Sequence, residues 1–108
     1  MVHPPTYQKD LLPESIQDVV AHIAKSGLAK KVILFGSRAR GDSRDNSDFD
    51  LAVEWCEPKS IEVMNLLSEL DEKPFTLHKI DLLSYNDATS SYVDEIKNEG
   101  IILWEKKD

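Results

Sequence analysis

The residues best suited to chemistry lie in one stretch, "ILFGSRARGDSRDNSDFDLAVEW", residues 33–55. Asp48 and Asp50 are two apart, and on a strand such residues project from one face, roughly 6.5–7 Å apart at ~3.3 Å per residue. Paired carboxylates repel each other unless a cation lies between or beside them. Oxygen-only donors, with no His or Cys at hand, suit Mg²⁺ better than zinc. A strand that turns two acids to water is the plain alternative for a bare Asp-x-Asp. Upstream, a strand ending in Gly36-Ser37 and followed by a short helical turn, "SRAR", presents backbone N–H groups at a positive helix end. Gly36 admits a phosphate to the backbone, and the Ser37 hydroxyl adds one hydrogen bond. Arg38 and Arg40 are planar, permanently charged donors that match phosphate oxygens. Gly-Ser also serves as an ordinary turn and cap, so this pair alone is a weak signal.

A third carboxylate strengthens the pattern. Asp81 interrupts the apolar run "KIDLL", where Ile80, Leu82 and Leu83 predict a largely buried strand. An aspartate there is costly unless it meets a cation or a full set of hydrogen bonds. If this strand lies beside the one bearing Asp48 and Asp50, the three form a carboxylate triad facing the arginines. A calcium loop is excluded by register: begun at Asp42 it puts Arg44 on a ligand position, and begun at Asp48 it puts Ala52 on one.

The elements that must position these groups can be read from periodicity. Leu12, Ile16, Val19, Val20 and Ile23 recur at helical spacing, with Pro13 tolerable in the first turn and Gly27 as a stop. "KVILF" (31–35) is a short apolar run and hence a buried strand. "DFDLAVEW" (48–55) alternates, with Phe49, Leu51, Val53 and Trp55 on one side and Asp48, Asp50, Ala52 and Glu54 on the other. "PKSIEVMNLLSELDE" predicts a second amphipathic helix through Val63, Leu66, Leu67 and Leu70. "FTLHKIDLLS" (75–84) predicts a third strand, "YNDATSSYVDEIKNEG" a helix ending at Gly100, and "IILW" (101–104) a last extended segment. The order predicts an α/β (α+β two-layer) fold, a small mixed sheet with helices on one face and the aspartate face open.

Bulk properties narrow the class. One hundred and eight residues make one small domain, residues 1–108. A 41% hydrophobic and 31% charged composition fits a globular chain. The absence of an apolar run of ~20 residues argues against a membrane span. The N-terminus "MVHPPTYQKD" lacks a secretory apolar core. The lone Cys56 leaves no internal disulfide, and together these predict a cytoplasmic protein. A net charge of −7 argues against direct nucleic-acid binding as the main task. The charge is uneven: residues 1–44 carry 7 basic and 4 acidic groups, residues 45–108 carry 6 and 16. A small phosphorylated ligand suits that distribution better than a duplex.

Gly36-Ser37, ten intervening residues, Asp48-x-Asp50 and a later strand aspartate together resemble the nucleotidyltransferase superfamily that includes DNA polymerase β. The chain looks most like the minimal nucleotidyltransferases (MNT), from "VILFGSRARG" through "SDFDLAV" to "KIDLL". The resemblance implies a polymerase β-like core. It implies that Gly36 and Ser37 bind the triphosphate of ATP, with Arg38 and Arg40 on the phosphates. Asp48 and Asp50 would hold metal ions, and Asp81 would join that site or help deprotonate the attacking hydroxyl. Two Mg²⁺ ions ~4 Å apart can activate a hydroxyl and stabilise a leaving pyrophosphate, and their charge would explain the crowded carboxylates. Minimal members are commonly paired with a small helical HEPN protein, an RNase-like toxin to which the MNT antitoxin can transfer AMP. The expected function is therefore Mg²⁺-dependent transfer of a nucleoside monophosphate to a hydroxyl of a HEPN-type partner. The rivals are a catalytically silent antitoxin acting by occlusion and a nucleotide-binding regulatory module.

The other conspicuous residues have plainer readings. His3, His22 and His78 have no ligand spacing, and His78 reads as a strand surface residue. Trp55 and Trp104 read as core or interface. Tyr92, Val93 and Ile96 form a helical stripe packing on the sheet.

Overall fold

The computed structural model describes residues 12–41, 48–72 and 79–107. The apolar stripe of the first periodic segment becomes α1 (Glu14–Lys25), with Pro13 at its N-cap and Ile16, Val19, Val20 and Ile23 buried. Then follow β1 (Ala29–Phe35), α2 (Ser37–Arg40), β2 (Phe49–Trp55), α3 (Ile61–Glu72) and β3 (Ile80–Ser84). A 3-10 turn (Tyr85–Asp87) leads to α4 (Ser90–Glu99) and β4 (Ile101–Glu105). Residues 75–78 of the expected third strand, His3, His78 and Arg44 lie outside the described residues.

The strands form one mixed sheet in the order β3-β2-β1-β4. β1 pairs antiparallel with both β2 and β4, whereas β2 and β3 run parallel. The segment 101–104, expected only to be extended, is thus an edge strand aligned on β1. Alternation along β1 and β2 divides the core between the two faces of the sheet. Val32, Val53 and Trp55 meet Val19, Val20 and Ile23 of α1 and Val63 and Leu66 of α3. Leu34, Phe49 and Leu51 meet Leu12 and Ile16. A side-chain contact between His22 and Glu69 joins α1 to α3 at the surface.

The expected placement of helices on one face holds for α1 and α3 but not for α4. Ile96 of α4 packs on Ile33, Phe35 and Ala52 on the other side. The reason lies in β2 itself: Ala52 shares a side with Asp50 but is an apolar methyl, and it is fully buried. The aspartate face is therefore partly covered, while Asp48 and Asp50 at one end of it stay partly exposed.

Two local devices fix how β3 and α4 sit on the sheet. The Trp55 indole N–H donates to Ser84 Oγ at 2.9 Å, and Asn86 accepts from Trp55 N–H and donates to Trp55 C=O. These bonds lock β3 against β2 and hence set which residues of the two strands face each other. At the other side, Gly100 lets α4 turn tightly into β4. A Cβ there would overlap the Ile96 carbonyl oxygen and lie 2.7 Å from Ile33 Cγ2. Gly100→Ala should accordingly lower stability by about 1–3 kcal/mol through overpacking. An unchanged melting temperature would contradict the tight seating of α4.

Candidate active site

The site is assembled by register. In the parallel β2–β3 pair, Asp50 stands beside Asp81, and in the antiparallel β1–β2 pair it stands beside Phe35. Asp50, Asp81 and the end of β1 therefore form one row across the sheet, and Asp48 lies at the entry to β2. The adjacency of the two strands, required for a triad, is present. The expected burial of Asp81 is not: β3 is an edge strand and Asp81 is exposed. Water solvates this carboxylate, so its place in an apolar run is not by itself a sign of a bound cation.

The Gly-Ser turn closes on the same row. Gly36 has φ 75° and ψ −158°, a backbone region essentially confined to glycine. A Cβ at Gly36 would collide with the Asp50 carboxylate. The backbone of the turn thus lies directly against Asp50, bringing the phosphate-type loop and the carboxylates together. Ser37 opens α2, whose first turn is closed by Ala39 and Arg40 N–H groups donating to Gly36 C=O at 3.1 and 3.0 Å.

The arginines on α2 diverge. Arg38 places its guanidinium 4.3 Å from the centroid of the Phe49 ring, a cation–π contact on the α1 side of the sheet. Arg40 reaches α4, where its Nη1 donates to Glu99 Oε2 at 2.8 Å and lies 4.0 Å from Glu95 Oε2. Lys79, which the sequence did not single out, approaches Asp48 at 3.9 Å and is largely exposed. Tyr92 stands edge-on to Phe35, with centroids 6.4 Å apart, and remains about half exposed. Trp55 is fully buried, as read from the sequence.

Charge at this end is predominantly negative. Burial pushes the Asp50 carboxyl above its ordinary value; the neighbouring charges of Asp81, Asp48 and Glu95 add to the shift, and Arg40 opposes it. Among the described residues no three acidic, His or Cys side chains are already gathered into a metal cage. The donor set nevertheless fits a hard divalent cation, being all carboxylate oxygen on an incompletely covered face. Asp48, Asp50 and Asp81 are the residues that could hold one, and a cation would relieve the repulsion that raises Asp50. No helix among the described residues is long and apolar enough to cross a membrane.

Known proteins resemble this chain in sequence and in fold. A family model described as "Polymerase beta, Nucleotidyltransferase" matches residues 17–108. Two proteins of Methanocaldococcus jannaschii, each provisionally named a protein adenylyltransferase, are similar in sequence. One is 35% identical over 85 residues, covering 77% of this chain and 87% of its own. The other is 35% identical over 77 residues, covering 68% and 74%. A solved structure provisionally described as a minimal nucleotidyltransferase aligns with a TM-score of 0.60 at 27% identity, over 79% of this chain and 85% of the other. A structure described as a toxin-antitoxin with AMP-PNP shares the fold, with a TM-score of 0.59 at 21% identity over 84% and 74%. A family match that takes in all four strands and both halves of the site decides the matter: this chain is a nucleotidyltransferase and belongs to the polymerase beta family.

Proposed function

We propose that the protein transfers AMP from ATP, with Mg²⁺, to a hydroxyl on a small helical HEPN-type protein, and so acts as that partner's antitoxin. The observation that carries this reading is the meeting of Gly36, Asp50 and Asp81 at one end of the sheet. It supports the reading because a turn suited to a phosphate lies against carboxylates suited to a metal. AMP as the transferred group draws support from the provisional naming of the Methanocaldococcus relatives. A nucleotide and a toxin partner draw support from the structural neighbour described as a toxin-antitoxin with AMP-PNP.

In this mechanism the Gly36 backbone and the Ser37 hydroxyl receive the triphosphate, and Arg40 offsets its charge, joined by Arg38 when it leaves Phe49. Asp48, Asp50 and Asp81 would hold two Mg²⁺ ions, which when bound supply charge neutralisation and activation of the attacking oxygen. Asp81, exposed at the edge strand, can accept the proton of an incoming hydroxyl. The new bond joins that oxygen to the α-phosphorus, and the bond to the β-phosphate oxygen breaks, releasing pyrophosphate. The open end of the sheet leaves the acceptor to be presented by another protein, with a partner tyrosine as the favoured hydroxyl.

Intact-mass measurement of the co-expressed partner tests the reading. Wild type should add about 329 Da per AMP, the increment fixed by phosphoryl transfer chemistry. Asp81→Asn should still bind the partner, because the residue is exposed, yet leave its mass unchanged. Equal neutralisation by wild type and variant with no adduct on either would establish occlusion as the mechanism instead.

A further inference from the structure

Arg40 has two sets of anions within reach and one guanidinium to offer. It closes α2, three residues after Ser37, at the loop proposed to receive the triphosphate. In the present structure it is bonded to Glu99 at 2.8 Å, with Glu95 at 4.0 Å. These two glutamates are one helical turn apart and flank Ile96, the residue by which α4 is anchored to the sheet. The pair is at the surface, with 41% of the Arg40 side chain and 33% of that of Glu99 exposed. Ion pairs this exposed shift an equilibrium by about fivefold at most. A triphosphate, with several charges and planar oxygen pairs for the guanidinium, can displace so weak a partner.

We infer that Glu99, with Glu95 beside it, is a positioning residue that clasps Arg40 in the nucleotide-free protein and yields it to the triphosphate, so that nucleotide binding unlatches α2 from α4. The inference rests on the nucleotidyltransferase reading of the site. Its consequence reaches the acceptor side of the molecule. Once Arg40 leaves, α4 keeps its anchor at Ile96 but loses a tether to the phosphate loop. Two glutamates on one turn of α4 are then no longer offset by that cation. Nucleotide occupancy is in this way transmitted to the helix that carries the half-exposed Tyr92.

A double-mutant cycle of wild type, Glu99→Gln, Arg40→Gln and the double variant tests the handover, with both melting temperature and Mg·ATP affinity as readouts. Without nucleotide the two substitutions should be non-additive in melting temperature. At saturating Mg·ATP that non-additivity should vanish, which a merely structural contact would not show. Glu99→Gln should tighten Mg·ATP binding about two- to fivefold, and Glu99→Asp, which keeps the charge, should tighten it less. Arg40→Gln should weaken binding and largely abolish the effect of Glu99→Gln. Equal non-additivity with and without Mg·ATP, or weaker binding by Glu99→Gln, overturns the handover while leaving the nucleotide site standing. Failure of the wild type to bind Mg·ATP at all overturns the reading of the site, and the inference with it.

Discussion

Asp48→Asn combined with Asp50→Asn should reduce transfer by roughly a thousandfold or more, the several kcal/mol that metal ions supply at such centres, without lowering stability in metal-free buffer. The first half follows from removing two of the three carboxylates that could hold a cation. The second follows from the state of Asp50, whose carboxyl is raised above its ordinary value by burial first and by Asp81 and Asp48 next. A carboxyl raised on folding destabilises the folded protein once it ionises. The penalty is absent below the ordinary carboxylate value of about 3.9, where both folded and unfolded chains are protonated. It grows as the pH climbs through the gap between that value and the raised one, and is complete above the latter. At pH 7 with a chelator, the double variant should therefore melt at or above the wild-type temperature. At a pH below about 3.9 the advantage conferred by losing Asp50 should disappear. Added Mg²⁺ should stabilise the wild type and not the variant, since only a state that binds ligand gains from it. Wild-type transfer rates in the double variant would remove Asp48 and Asp50 from the metal site.

The placement of the residues read as a candidate site was largely legible in the sequence because it is local. Strand alternation placed Asp48 and Asp50 on one side, and the ten residues between Ser37 and Asp48 bring the chain back beside the turn. What depended on contacts between distant segments was not legible. Asp81 does adjoin Asp50, but apolar neighbours in sequence say nothing about whether a strand is central or at an edge, and β3 is at the edge. Ala52 offered a hint that the aspartate face is partly covered, since it is the one apolar residue among its alternating neighbours. The partner that covers it, Ile96, is 44 positions away. The same holds for Glu99, which lies 59 residues from the arginine it binds. Asn86, which ties β3 to the end of β2, gave no sequence signal: the sequence reading took it into the last helix, whereas it stands in the 3-10 turn before α4.

Gly36→Val should abolish Mg·ATP binding, whereas Ser37→Ala should weaken it only about fivefold, the worth of one hydrogen bond of ~1 kcal/mol. From sequence, Gly36 has one reason to be glycine, the close approach of a phosphate. The structure gives two more. Its φ of 75° with ψ −158° belongs to a region that costs a side chain about 1–3 kcal/mol. Its α-carbon also faces the Asp50 carboxylate so closely that a Cβ would strike it. A valine must therefore move either the turn or Asp50, and each belongs to a different half of the site. Displacement of Asp50 should show as a loss of Mg²⁺ stabilisation even without nucleotide, which Ser37→Ala should leave intact because it adds no atom against Asp50. Gly36→Ala is the milder companion, with the same clash at Cβ and less bulk beyond it, and circular dichroism confirms that each variant is folded before titration. Calorimetry with Mg·ATP and with Mg²⁺ alone separates the two effects. If folded Gly36→Ala and Gly36→Val bind both ligands as the wild type does, the turn is not the phosphate cradle and its contact with Asp50 has no part in holding the metal.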